Sequence, residues 1–101
     1  VRLMWRQAGA LTCYIYHPDQ QGLFGEDVQL GRKLLPHVWH RVTLRVTLNS
    51  PGKHDGLVEA FIDGERKPSC SRHDLRFRDS TGLEIDAFYF STFFGGSAAS
   101  W

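Results

Sequence analysis

The sequence is poor in cysteine, with only Cys13 and Cys70 among 101 residues. Two ligands do not close a zinc site. The pair leaves two readings open: one disulfide in a secreted protein, or a buried free thiol at Cys13. Charge of one sign is also missing. Twelve Lys+Arg stand against eleven Asp+Glu, a net charge of +1, so no global field recruits nucleic acid or an anionic membrane. The one basic cluster, Arg66, Lys67, Arg72, Arg76 and Arg78, is diluted by Glu65, Asp74 and Asp79 and reads as a solvated loop and edge. No apolar run approaches the roughly 20 residues of a membrane span. The five histidines form no HxH or HExxH group, so no metal is expected. His40, after Trp39, reads as a packing or surface histidine. No GxSxG elbow and no phosphate-cradling glycine loop occur, and no cofactor is expected. An initiator Met and a signal sequence are also lacking. The expectation is a segment of a longer protein, entered in mid-strand.

What is present is alternation. With 42% hydrophobic residues the chain is globular rather than disordered, and its apolar positions recur every second residue. In Arg41–Leu48, Val42, Leu44, Val46 and Leu48 face inward while Arg41, Thr43, Arg45 and Thr47 face out. The turn formers of 49–56 follow, then the return strand Leu57–Asp63, closed by Gly64: a hairpin with a long loop. Short strands are predicted at Asp27–Leu30 and around Leu75–Phe77, and a long central strand over Leu83–Phe94. No convincing amphipathic helix is found. The fold class expected is all-β: an antiparallel β-sandwich or jelly roll, of which this chain is an incomplete segment.

Two further segments read as neighbouring strands, Val1–Arg6 and Thr12–His17, joined by the turn of residues 7–10. Side chains alternate between sheet faces. Tyr14 and Tyr16 therefore share one face, Cys13 and Ile15 the other, and pairing brings Arg2 near both phenols. A fixed guanidinium beside two phenols suits binding and proton transfer on an acidic sugar. Two half-exposed tyrosines packing on a sheet give the same pattern without chemistry. Arg6, Gln29 and Arg32 extend the surface with polar groups. Rings cover the apolar faces of sugars, and Arg pairs bidentately with a uronate carboxylate.

The run Trp39–Leu44, then Thr47–Gly52, Asp55-Gly56 and Val58–Gly64, is similar to the polysaccharide lyase family 14 domain, as is the closing Phe90–Ser97 with its Gly95-Gly96. The family 20 glucuronan lyases carry a related core and ending. The resemblance spans nearly the whole chain. It implies that residues 1–101 are the C-terminal part of one jelly-roll domain that cleaves alginate or polyglucuronate by β-elimination, with an acidic polysaccharide as partner. The family centre combines a Ser-x-Arg motif, a Tyr-x-Tyr motif and an upstream lysine. Arg2 falls on the Arg, and Tyr14 and Tyr16 on the Tyr-x-Tyr; the Ser would precede Val1 and the Lys lie further upstream. By this likeness Arg2 holds the carboxylate and Tyr14 and Tyr16 are the catalytic pair, while the reading of the polar surface itself adds Arg6, Gln29 and Arg32 as substrate-binding residues. Tyr16 is the preferred acid, base or both, with a phenol lowered by cations and a preference for alkaline pH. The implied location is extracellular. A non-catalytic carbohydrate-binding sandwich with the same surface is the alternative, and a structural domain a third.

Overall fold

The computed structural model describes residues 1–91. They form six strands: β1 (Arg2–Trp5), β2 (Ala10–Ile15), β3 (Glu26–Lys33), β4 (Val42–Thr47), β5 (Gly56–Ile62) and β6 (Cys70–Leu75). The only helical element among these residues is a single 3-10 turn, Gln7–Gly9, between β1 and β2. The strands make two three-stranded antiparallel sheets in sequential order, β1-β2-β3 and β4-β5-β6. The chain crosses from one sheet to the other between β3 and β4. This is the all-β, sandwich-type architecture that the alternation predicts.

Both sheets contribute to one core. Leu11, Cys13, Ile15 and Leu30 come from the first, and Val58, Ala60, Ile62, Cys70 and Leu75 from the second. Central strand β5 alternates fully buried with half-buried residues, whereas edge strand β4 leaves its inward Val42, Leu44 and Val46 only partly covered. The difference follows from position: a central strand has neighbours on both sides, an edge strand on one.

Two turns fix how the sheets are entered. In the β1–β2 turn Ala8 (φ 57°) and Gly9 (φ 76°) are both left-handed. Gly9 has a second constraint, since a Cβ there would lie 2.4 Å from the Leu34 carbonyl oxygen. Asn49, fully buried at the start of the β4–β5 loop, satisfies its whole amide. Its Oδ1 accepts from the Phe77 and Arg78 amides, and its Nδ2 donates to the Ser50 and Arg78 carbonyls. The loop is thereby stapled to the segment that leaves β6.

Three element assignments differ from the sequence reading. β3 is longer than Asp27–Leu30, because Gly31 (φ 69°) sits in an irregularity that carries pairing on to Lys33 opposite Ala10. β6 is Cys70–Leu75 rather than Leu75–Phe77. Its middle, Ser71, Arg72, His73 and Asp74, is polar and partly exposed, so pairing with β5 makes it a strand where pattern does not. Residues 83–91 form no strand and are exposed, with Phe88, Tyr89 and Phe90 from 68 to 88% accessible. A strand needs an edge to receive it, and among the described residues no sheet edge does. The rest of that predicted strand, and the Gly95-Gly96 ending, lie outside the described residues.

Candidate active site

Register decides which side chains meet on the outer face of the first sheet. Arg2 lies opposite Tyr14, and Tyr14 opposite Asp27, giving one row across β1, β2 and β3; Thr12 and Gln29 face each other in the next. Cys13, Ile15 and Leu11 point to the core, as the alternation requires.

The tyrosine rings meet edge to face, with centroids 5.1 Å apart and planes at 87°, a favoured aromatic arrangement. Arg2 Cζ lies 5.9 Å from the Tyr16 ring centroid, and Arg6 Cζ 6.0 Å from that of Tyr14. A guanidinium therefore flanks each phenol. The two arginines are not equivalent. Arg6 is held by Asp27 Oδ2 at 2.8 Å and donates to Thr12 Oγ1 at 3.2 Å, which explains why Thr12 is buried on an outer face. Arg2 has no carboxylate partner among the described residues, so its fork is open to an incoming anion.

The hydroxyls are also distinguished. Tyr14 Oη accepts a hydrogen bond from the Gly25 amide at 3.1 Å. Gly25 packs closely there: an added Cβ would come within 2.8 Å of the Ile15 carbonyl oxygen and 3.2 Å of the Tyr14 ring. Contact with the Tyr14 hydroxyl pushes the Tyr16 phenol above its ordinary range, desolvation adds to this, and the Arg2 charge opposes it. The lowering by cations anticipated from residue types is outweighed, and Tyr16 keeps its proton.

The remaining surface residues lie along the same face. A shallow hollow of about 270 Å³ is lined by Arg6, Thr12, Gln29, Arg32 and Lys33. Gln29 is exposed there, while Arg32 is ion-paired with Glu65 of the β5–β6 connection. A second hollow, about 460 Å³ and away from the tyrosines, is lined by Trp39, His40, Arg41 and Asp63. Both ring nitrogens of His40 are engaged there, Nδ1 with Asp63 at 2.9 Å and Nε2 by the Leu35 amide at 2.9 Å. That is the bonding of a structural histidine. Among the described residues no three of His, Cys, Asp and Glu converge so as to hold a metal ion.

Residue-type reasoning missed Asp27, Gly25 and Glu26. Asp27 and Gly25 reach the tyrosines only through the β2–β3 register. Glu26 binds His17, which directly follows Tyr16, and no local spacing announces that contact.

No curated protein and no solved structure matches the chain. The sequence model described as Polysaccharide lyase 14 matches residues 1–101. The match spans the whole chain, and the chain belongs to polysaccharide lyase family 14.

Proposed function

We propose that the Arg2–Tyr14–Tyr16 face cleaves uronic-acid polymers, alginate or polyglucuronate, by β-elimination, in an extracellular setting. The observation that carries this reading is the contrast between the two arginines. Arg6 is neutralised by Asp27, whereas Arg2 stands unpaired among the described residues, 5.9 Å from the Tyr16 ring.

The chemistry follows from that arrangement. A uronate carboxylate pairs with the Arg2 guanidinium, which withdraws charge and makes the C5 proton more acidic. A base removes that proton, the C5–H electrons form the C4=C5 double bond, and the C4–O4 bond breaks. The departing O4 takes a proton. Tyr16, held protonated by its contact with Tyr14, is the donor to O4, and Tyr14 is the second proton-transfer group. Arg6, Gln29, Arg32 and Lys33 line the adjoining hollow, which suits the neighbouring sugar units.

The test is ultraviolet absorbance of the C4=C5 double bond while the protein acts on alginate and, separately, on polyglucuronate. Turnover on either polymer is expected, together with its loss in Tyr16→Phe while polymer binding remains. Full turnover in Tyr16→Phe would remove that residue from the mechanism. A flat trace from folded protein that still binds both polymers would make the face a carbohydrate-binding surface instead.

A further inference from the structure

Tyr16 is held in an unusual way for a residue at the centre of a reaction. The β2–β3 register ends at the pair Ile15–Glu26, so Tyr16 lies one residue beyond the ladder. Its position is set by its two flanks. Ile15 is buried in the core. On the other flank, His17 is 8% exposed and fastened in three ways. Its amide donates to Gln20 Oε1 at 3.1 Å, its carbonyl accepts from the Gln20 amide at 3.1 Å, and its Nε2 meets Glu26 Oε1 at 2.8 Å.

Glu26 is itself fixed from the opposite sheet. Arg72 of β6 reaches Oε2 with Nε at 2.8 Å and Oε1 with its terminal nitrogen at 3.3 Å. Hydrogen bonding from Arg72, followed by that from His17, holds the Glu26 carboxyl below its usual range. An ionised carboxylate only accepts, so His17 Nε2 is the donor. The other ring nitrogen, Nδ1, is buried without a partner among the described residues. Gly25, adjoining Glu26, donates to the Tyr14 hydroxyl. One short segment, 25–26, thus governs both tyrosines.

We propose that Glu26 is a positioning residue for the tyrosine pair: through His17 it fixes the free flank of Tyr16, and through the seating of Gly25 it fixes the Tyr14 hydroxyl. For turnover the proposal rests on the lyase reading; for geometry it stands on the bonds above. Glu26 lies opposite the core-facing Ile15 and bonds Arg72 of the opposite sheet, so it acts on the tyrosines through its neighbours. Arg72 makes it the point at which packing of the two sheets is transmitted to the reacting face.

The experiment combines kinetics with tyrosine-ring NMR on the same protein. Tyr14 and Tyr16 signals are assigned with the Tyr14→Phe and Tyr16→Phe variants, and Tyr89, distant in sequence and exposed, serves as internal control. Glu26→Ala is expected to move both ring signals and leave that of Tyr89. It should lower kcat on the order of 10- to 100-fold with KM nearly unchanged, the loss that a displacement of about 1 Å produces. Glu26→Gln keeps an acceptor facing His17 and should recover most of the turnover. Unmoved Tyr14 and Tyr16 signals in Glu26→Ala, or a fall in affinity with kcat intact, would overturn the proposal. If Glu26→Ala does not fold, Glu26→Asp, one methylene short of His17, is expected to move the signals and Glu26→Gln to leave them; equal spectra overturn it. The ring signals need no substrate. Native protein inactive on alginate and polyglucuronate would therefore remove the lyase reading alone, and the spectra would still decide whether Glu26 sets the tyrosine geometry.

Discussion

At the scale of single residues, the site turns on which charges are already paired. Arg2 is open and Arg6 is not, a distinction set by Asp27 on a third strand. Arg2→Lys retains a cation but loses the planar fork. A charge-assisted pair contributes about 1.5–3 kcal/mol, so kcat/KM should fall on the order of 10- to 100-fold in absorbance assays, and further in Arg2→Ala. The raised Tyr16 phenol has a definite sign in pH profiles. A proton donor is active while protonated, so activity should persist above the ordinary phenol value of about 10 and fall only as pH rises through the higher one. Tyr14→Phe removes the main cause of that rise. In whatever activity remains, the alkaline limb of kcat/KM should move to lower pH, and in Arg2→Ala, which removes the opposing charge, to higher pH.

At the scale of elements, single polar contacts hold the connections that pattern cannot fix. Asn49 bonds four main-chain groups from a fully buried position. Asn49→Ala leaves those donors and acceptors unsatisfied and should cost about 3 kcal/mol in denaturant unfolding, with little change in m. Gly25→Ala places a methyl 2.8 Å from the Ile15 carbonyl oxygen. The β3 start must then retreat from β2, lengthening the bond to the Tyr14 hydroxyl, so turnover should drop by more than the loss of stability explains. The hairpin β4–β5 was legible from its strict alternation, and β1–β2 from two apolar-polar runs around a turn. β6 was not, because its polar middle carries no period and its strand state comes from β5. Nor was the exposed course of residues 83–91, whose apolar content reads as a strand.

At the scale of the whole molecule, the two sheets meet over one core and are cross-linked at its edge by Glu26 and Arg72. Cys13 and Cys70, left open between disulfide and thiol by sequence, are both buried free thiols, one from each sheet and in contact across the core. Burial, with the neighbouring Cys70 adding to it, pushes the Cys13 thiol up from 9.0 to about 12. A group raised in the folded state contributes stability that is complete below its unfolded value and lost as pH rises toward the folded one. Unfolding free energy should thus decline between about pH 9 and 12, by up to about 1.4 kcal/mol per pH unit for this thiol. Cys13→Ser should change that slope. Both thiols should resist alkylation until the protein unfolds.

The sequence by itself determined the face on which each strand residue lies, because alternation is a local property of extended backbone. From that came the sandwich class, the shared face of Tyr14 and Tyr16, and the burial of Cys13. Only the tertiary structure decided which cations are free and which polar groups surround the tyrosine pair. Those depend on Asp27, Gly25 and Glu26, brought in by a third strand, and on Arg72, from the opposite sheet. Register and sheet packing join residues far apart in the chain, and charge pairing acts over a few ångströms of space whatever the separation in sequence.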